Sequence, residues 1–284
     1  MFNKPLQQAV GVAAGQVATL RIPAEQFTLI GIKLALSGTT FNKSHIDRVR
    51  LKVGPRVIWD LTGDQLNKIN NYKNDADNAK YLQIDFTERT QAIFPVKEIG
   101  GLDLMALLPI GEVYLELSIN AAAVGPIINA IGYFEQRQGN PIVSKMVPFN
   151  FTQSASGRFT LPLNLRGALM KRVWLFYSGT NQTPTANGNV ERVEVKKNGI
   201  VMFDQTDLDN RFDQARHKKV PQANTFCIDF IVDDNHDAAV TTVRKDGQSG
   251  AMLYDSFEFN AFLKDVAGGT VVAVAEVLDT PTNL

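Results

Sequence analysis

An internal repeat with a constant spacing of 144 residues constrains the fold of this chain more than any other feature. A fixed period of this size indicates two copies of one structural unit in tandem. At 284 residues, the chain also has the length of two average domains. The matching residues are Arg48-Val49 with Arg192-Val193, Asp60 with Asp204, Thr62 with Thr206, and Ile84-Asp85-Phe86 with Ile228-Asp229-Phe230.

Each unit is predicted to consist mainly of β-strands. Segments such as Val113-Tyr-Leu-Glu-Leu-Ser-Ile119 and Val190-Glu-Arg-Val-Glu-Val195 alternate apolar and polar residues, which is typical of a strand with one buried face. Gly54-Pro55 and Asn198-Gly199 occupy the same place in the two units, and an Asn-Gly pair is typical of a type I′ hairpin. The pattern favours an all-β fold with short helices, in the form of two tandem antiparallel jelly-roll β-sandwiches, a double jelly roll.

One short helix is expected in each unit, directly after the repeated aspartate. Thr62-Gly-Asp-Gln65 has the form of a capping box, and Leu66, Ile69 and Tyr72 follow at helical spacing. Thr206 stands at the matching position and is followed by Leu208 and Phe212. We therefore predict that Asp60-x-Thr62 and Asp204-x-Thr206 are repeated helix-start caps.

The boundary between the units is less sharply marked than the repeat. The Gly139-Asn140-Pro141 turn is the best linker candidate, so we expect the first jelly roll at residues 1–140 and the second at residues 141–284. A strand predicted from Ile127 to Phe134 can close the first sandwich or open the second.

The two units are predicted to differ in length after the repeated aspartate. If Val113 matches Val271, the second unit carries 14 more residues than the first in this part of the chain. The segment from His236 to Gly250 is polar at both ends and closes with Gly-Gln-Ser-Gly, so we expect the extra length to form a surface projection there. Its middle, Ala239 to Val243, is compatible with a strand.

Composition and charge exclude several functional classes. The 29 basic residues equal the 29 acidic residues, so the chain lacks the basic excess that drives binding to phosphate backbones, and we expect no direct contact with nucleic acid. The single cysteine, Cys227, cannot build an internal disulfide framework, which favours a reducing cytoplasm. We expect neither a secretory signal nor a transmembrane segment, because no apolar run reaches the ~18 to 20 residues of a membrane span.

The sequence indicates no enzymatic chemistry, and we assign no catalytic, cofactor-binding or metal-binding residue. His45, His217 and His236 are the only histidines, and no two of them have the spacing of paired metal ligands. The motifs of nucleophile-elbow hydrolases, P-loop enzymes and dinucleotide-binding folds do not occur. The repeated Asp85 and Asp229 are more simply structural than a catalytic pair.

The acidic clusters favour solvated loops over cation sites, because none has the glycine and distal glutamate of an EF-hand. They lie at residues 74–78, from Asp207 to Asp213, and from Asp233 to Asp237.

Aromatic side chains raise the alternative of a carbohydrate-binding or adhesin-type double β-sandwich. Trp59, Trp174 and Tyr177 are the candidate stacking platforms. Trp174 lies in an almost wholly apolar strand, however, and Trp59 matches Phe203, so core packing is favoured. A jelly-roll hydrolase, whose carboxylates or histidines cluster only in the fold, is a further alternative.

The segment Asn120-Ala-Ala-Ala-Val-Gly-Pro-Ile-Ile-Asn-Ala130, directly after the strand that ends at Ile119, resembles the major capsid proteins of corticovirus-type tailless phages. Ala13-Ala14-Gly15, Ser37-Gly38 and Ile228-Asp229-Phe230 also fit this family. The similarity is diffuse over the whole chain and specific near residues 120 to 130.

This resemblance implies a structural major capsid protein of an icosahedral, tailless bacteriophage. Two jelly rolls per chain would form a homotrimer with a pseudo-hexameric outline, in a shell over an internal membrane. The partners would be neighbouring capsomers, pentons, and minor capsid or membrane proteins of the virion. The protein would be part of the virion capsid and would assemble in the host bacterial cytoplasm. Structural calcium is compatible with the family, but the resemblance assigns no ligand residue in this chain and no cofactor.

Overall fold

A computed structural model of the chain describes residues 1–88, 99–137, 139, 142–153, 155–265, 269–281 and 283. The chain divides into two compact units. The first comprises Met1–Asn71, Asp75–Met146 and Leu278–Leu284, and the second comprises Tyr72–Asn74 and Val147–Val277. Two of the three residues in the expected linker, 140 and 141, lie outside the described residues, so the boundary at 140/141 stays a prediction.

The first unit contains strands of two sheets. One has the order β1 (Phe2–Pro5), β9 (Ile127–Gln136), β3 (Phe27–Ser37) and β6 (Tyr81–Asp85), with the short β7 (Leu102–Asp103) beside β3. The other has the order β5 (Arg56–Thr62), β4 (Ile46–Val53), β8 (Val113–Ile119) and β2 (Val17–Ile22). Burial in β8 alternates strictly along the strand, as its apolar and polar residues predict.

The second unit repeats this arrangement. One sheet has the order β10 (Val143–Thr152), β20 (Thr270–Asp279), β12 (Leu169–Tyr177) and β15 (Thr225–Asp229), with β16 (Val240–Thr241) beside β12. The other has the order β11 (Gly157–Leu161), β19 (Phe257–Leu263), β13 (Val190–Lys197) and β14 (Ile200–Thr206). A separate hairpin joins β17 (Val243–Lys245) and β18 (Met252–Tyr254).

The order in which the chain visits the sheets is the same in both units. The first and last strands of each unit are neighbours in one sheet, β1 with β9 and β10 with β20. Between them the chain alternates between the two sheets, apart from one hairpin within a sheet, β4–β5 in the first unit and β13–β14 in the second. The short strands β7 and β16 also stay in the sheet of the strand that precedes them. This connectivity is that of a jelly roll, so the predicted double jelly roll is confirmed.

The turn of each hairpin also repeats. Gly54-Pro55 joins β4 to β5, and Asn198-Gly199 joins β13 to β14. Asn198 and Gly199 have φ angles of 51° and 79°, the left-handed conformation that a type I′ turn requires at both positions. The predicted hairpin is therefore confirmed.

Three α-helices are described: α1 (Gly63–Tyr72), α2 (Leu104–Leu107) and α3 (Asp207–Arg216). Short 3-10 turns occur at Lys43–His45 and His236–Ala238. At the start of α1, the Thr62 N–H donates to Gln65 Oε1 over 2.9 Å, and the Gln65 N–H donates to Thr62 Oγ1 over 3.1 Å. At the start of α3, the Asp209 N–H donates to Thr206 Oγ1 over 3.2 Å. Both threonine caps are thus confirmed, and the first is a full capping box.

The repeat extends to irregularities of the backbone. In each unit the pairing between the two hairpin strands shifts register once. The pairing of the first hairpin strand with its other neighbour in the sheet, β4 with β8 and β13 with β19, also shifts once. Each shift recurs 144 residues later, where one of the two residues beside it is the same in both units and the other differs. The shifts lie at Leu51/Lys52 and Val195/Lys196 in the hairpins, and at Ile46/Arg48 and Val190/Arg192 in the other pairings. Backbone bulges at fixed positions are features of the shared unit rather than local accidents.

The expected difference in length between the units is wrong. The strand that corresponds to β8 is β19, because both pair with the first strand of the hairpin. Val113 therefore matches Phe257 and not Val271, and 27 residues separate the repeated aspartate from this strand in both units. The strand predicted from Ile127 to Phe134 is β9, which closes the first sandwich, and its counterpart is β20.

The segment from His236 to Gly250 is only partly a surface feature. Its middle forms β16, and the next residue, Thr242, is buried and donates its N–H to the Ala168 carbonyl over 2.9 Å. The exposed excursion is the β17–β18 hairpin, in which the side chains of Met252 and Tyr254 are more than half exposed.

Candidate functional site

The repeated arginine and aspartate form the same ion pair in both units. Arg48 binds Asp60 through two contacts of 2.5 and 2.6 Å, and Arg192 binds Asp204 through two contacts of 2.6 Å. Hydrogen bonds from Arg192 lower the pKa of Asp204. The aspartates therefore pair across the hairpin, while the threonines alone cap the helices, so the prediction that Asp60 and Asp204 take part in the caps is wrong.

The repeated Asp85 and Asp229 have different surroundings. In the first unit, Asp85 faces Gly31 on the neighbouring strand and accepts a hydrogen bond from Gln83 Nε2 over 2.8 Å. A Cβ atom on Gly31 would lie only 2.7 Å from Asp85 Oδ1, which explains the glycine. In the second unit the strand neighbour is Arg172, whose Nε lies 2.9 Å from Asp229 Oδ2.

A buried network of charges surrounds Asp229. Tyr72 Oη donates to Asp229 over 2.9 Å, and Arg172 and Glu276 lie within 3.4 Å of each other with almost no exposed surface. Lys171 Nζ is 2.9 Å from Glu276 Oε1. Buried charges that are paired and hydrogen-bonded fix the packing of the elements that carry them. Burial also raises the pKa of the Cys227 thiol, which leaves that sulfur protonated and unreactive at neutral pH.

The three aromatic residues considered as sugar platforms are core residues. Trp59 and Trp174 are at most 1% exposed, and Tyr177 is 5% exposed. Trp59 Nε1 donates to the Ser144 carbonyl over 2.7 Å, and Tyr177 Oη donates to Gln182 Oε1 over 2.8 Å. The core interpretation is confirmed, and none of the three has a face available to a sugar.

The acidic clusters form separate contacts. Asp77 pairs with Lys43, Asp207 accepts from the Gly188 N–H over 2.9 Å, and Asp234 pairs with Lys219. In the part of the chain that the structure describes, no three His, Cys, Asp or Glu side chains are grouped so that they could hold a metal ion.

The helix that follows the hairpin has a different outer surface in the two units. In the first unit, Asp64 and Lys68 are one turn apart and form an ion pair of 3.0 Å. The residues 144 positions later are Leu208 and Phe212, whose side chains are 37% and 66% exposed. Both belong to α3, whose buried face is formed instead by residues such as Asn210 and Gln214. An exposed apolar pair thus replaces a charged pair at the same place in the fold.

The second strand of the hairpin shows the same contrast. In the first unit, Trp59 of β5 pairs in parallel with Met146, and Ile58 and Trp59 are each 1% exposed. In the second unit, β14 is the edge of its sheet, and Ile200 and Met202 are 73% and 37% exposed. Ile200 also takes the place of the charged Arg56. Exposed apolar residues on an edge strand mark an interaction surface, because they are otherwise a liability for aggregation.

We call Ile200, Val201, Met202, Leu208 and Phe212 the second-unit apolar surface. Sequence reasoning missed it because Leu208 and Phe212 were considered only as helix-forming residues. A comparison of the two copies position by position contains the signal, since two of these residues replace Asp64 and Lys68.

None of the helices in the described part of the chain has the length and apolar character needed to cross a membrane.

Comparison with known proteins identifies relatives over almost the whole chain. Residues 3–135 match the family model of the viral coat protein P2 N-terminal domain, and residues 143–281 match that of the viral coat protein P2 C-terminal domain. No curated protein sequence matches the chain significantly.

Solved structures show the same fold at low sequence identity. The major capsid protein P2 of bacteriophage PM2 superposes with a TM-score of 0.80 at 18% identity, over 98% of this chain and 97% of that protein. The major capsid protein of STIV gives 0.69 at 13% identity, over 99% and 97%. The PBCV-1 virus capsid protein gives 0.61 at 10% identity, over 99% and 94%.

Proposed function

Since the chain belongs to the viral coat protein P2 family and is a structural major capsid protein, we propose that it forms homotrimers that tile the icosahedral shell of a tailless bacteriophage. Two units of the same fold in each chain support this proposal. A trimer of such chains presents six similar units around its axis and has a pseudo-hexameric outline, which suits a mostly six-coordinated lattice.

The observation that carries the proposal is the second-unit apolar surface. The shared fold does not require it, because the first unit has Asp64 and Lys68 at the positions of Leu208 and Phe212. Its occupant in the proposal is a different surface of a second copy of the chain. Contacts between two different surfaces form closed rings when the rotation between copies closes, as it does for three copies around one axis.

The remaining parts of the proposal concern the virion. The trimers contact neighbouring capsomers, pentons, and minor capsid or membrane proteins, and the shell encloses an internal membrane. Assembly takes place in the cytoplasm of the host bacterium. The equal numbers of acidic and basic residues support a shell without direct contact to the genome.

The proposal keeps the two jelly rolls at residues 1–140 and 141–284, which the family matches to residues 3–135 and 143–281 support. A role without catalysis is supported by the repeated residues themselves, because Arg48, Asp60 and Thr62 have structural roles in a hairpin and a helix cap.

Light scattering coupled to size exclusion tests the trimer. The expected molar mass is three times the 31.3 kDa of the chain, constant over the micromolar range. Negative-stain images of the same fraction should show particles of hexagonal outline. A strictly monomeric protein over that range would contradict the proposed assembly.

A further inference from the structure

The first unit contains a cavity whose lining combines polar groups with a larger apolar surface. It has a volume of about 410 Å³ and lies between α1, the segment that follows α1, and β6. This volume is within the range of small-molecule sites, ~300 to 1,000 Å³. Amide side chains and one tyrosine dominate its lining: Asn67, Asn70, Asn71, Asn78, Tyr81 and Gln83.

Several of these polar groups retain free hydrogen-bonding capacity. Among the residues that the structure describes, neither the Asn71 amide nor the Tyr81 hydroxyl has a hydrogen-bond partner in the protein. Asn67 Oδ1 accepts from Lys43 Nζ over 2.6 Å, which leaves its amide N–H groups for a ligand. Asn70 Nδ2 donates to the Gln83 carbonyl over 2.8 Å, which leaves the side-chain oxygen Oδ1 of Asn70 to accept a hydrogen bond from a ligand. The cavity therefore offers both donors and acceptors to a bound molecule.

The second unit shows which of these residues the fold itself requires. Gln214, which matches Asn70, donates to the Cys227 carbonyl over 2.8 Å, and Cys227 matches Gln83. This contact between helix and strand is common to both units and is structural.

The other cavity residues differ between the units, although Gln222 keeps an amide at the position of Asn78. Arg211, Ala215 and Thr225 stand at the positions of Asn67, Asn71 and Tyr81. The amide-rich, aromatic lining is a property of the first unit alone.

The chemistry of the lining indicates the class of ligand. Lys33 and Lys43 are balanced by Asp75 and Asp77, so the cavity has no excess charge to select an ion. The Tyr81 side chain is 47% exposed and offers an apolar ring with a polar end, and Lys33 Nζ lies 5.6 Å from the centroid of this ring.

Amides that donate and accept at one group suit vicinal hydroxyls, and an aromatic ring suits the C–H face of a pyranose. We propose that this cavity binds a neutral sugar. Binding of this kind does not depend on the proposed trimer.

Saturation-transfer NMR on the full-length protein, in whatever assembly it adopts, tests this site. The probes are the methyl glycosides of glucose, galactose, mannose and N-acetylglucosamine, with methyl glucuronide as the charged comparison. At least one neutral glycoside should bind. Asn71→Ala and Tyr81→Ala should each weaken that binding about tenfold or more, because each removes a principal contact.

Tyr254→Ala is the matched control, since Tyr254 is 59% exposed in the β17–β18 hairpin of the other unit. Binding should be unchanged in this variant, and a thermal melt should show that all three variants are folded. Asn71→Ala keeps the test decisive if Tyr81→Ala does not fold. The proposal is overturned if no neutral glycoside binds, if only the glucuronide binds, or if binding to a folded Asn71→Ala variant equals that of the wild type.

Discussion

Exchanging the exposed apolar pair of α3 for the charged pair of α1 should dissociate the trimer while preserving the fold. The variant carries Leu208→Asp and Phe212→Lys, the residues that the first unit has as Asp64 and Lys68. In the first unit this pair forms an ion pair of 3.0 Å one helical turn apart. An aspartate in the first turn also interacts favourably with the helix dipole. The isolated second unit should therefore tolerate both changes.

The loss of association follows from the exposed area. Phe212 is 66% exposed, which corresponds to about 130 Å² for a side chain of roughly 200 Å². At about 25 cal/mol per Å², burial of this surface contributes about 3 kcal/mol to each contact between copies, and the smaller exposed part of Leu208 adds about 1 kcal/mol. About 4 kcal/mol weakens each contact by roughly 500- to 1,000-fold.

Sedimentation velocity over the micromolar range measures the effect. The wild type should sediment as a trimer, and the double variant as a monomer at concentrations where the wild type is fully associated. Tyr254→Lys, which introduces a charge at an equally exposed aromatic residue in the β17–β18 hairpin, should remain trimeric. If the double variant is folded and stays trimeric over the same range, α3 is not part of the contact between copies.

Three further outcomes follow from contacts within the units. Thr62→Ala and Thr206→Ala should each lower the free energy of unfolding by ~0.5 to 2 kcal/mol in denaturant titrations, whereas the serine variants should retain the wild-type value; equal midpoints for alanine and serine would refute the caps. Asp279→Ala should destabilise the protein by ~3 to 5 kcal/mol, because it removes the carboxylate 2.9 Å from the buried Lys145 ammonium. Adding Lys145→Met should recover much of this stability, because no buried charge is then left unpaired. An equally large loss of stability in the double variant would contradict this prediction. Burial raises the pKa of Asp207 above its unfolded value near 3.8, so the wild type loses stability as pH rises from the unfolded pKa through the raised folded pKa. The stability of Asp207→Asn relative to the wild type should therefore increase over that pH window in thermal melts. A difference in stability that does not change with pH would refute this.

The sequence predicted the parts of the fold in which side-chain identity and backbone geometry are coupled. Arg48, Asp60 and Thr62 recur because an ion pair across a hairpin needs opposite charges and a helix cap needs a side-chain oxygen. The match of Val113 with Val271 failed because strands of a sandwich are defined by their neighbours. β8 and β19 share no residue at matched positions, but both pair with the first strand of the hairpin.

The candidate sites were harder to predict for a different reason. The second-unit apolar surface is visible only after the two copies are aligned residue by residue, because Phe212 alone is an ordinary helix residue. The sugar cavity had a sequence signal, since four of its lining asparagines lie between residues 67 and 78. Only the part of this run from residue 74 onward was considered, and as a cation site. The lining asparagines come together with Tyr81 because α1 packs beside β6, and no local sequence pattern specifies this packing.

The first unit includes Leu278–Leu284, and this has a consequence for the timing of folding during translation. Lys145 donates to the Asn283 carbonyl over 2.6 Å, and Arg56 donates to the Pro281 carbonyl over 3.0 Å. The ribosome must add roughly 130 residues after Met146 before this segment exists, which takes roughly 7 to 26 s at about 5 to 20 residues per second. During that interval the buried Lys145 side chain lacks the Asn283 carbonyl, and Arg56 lacks the Pro281 carbonyl. The nascent first jelly roll therefore reaches its final stability only after the second jelly roll has been synthesised. A partly synthesised chain with only its first unit folded lacks contacts that it needs before it can enter a shell.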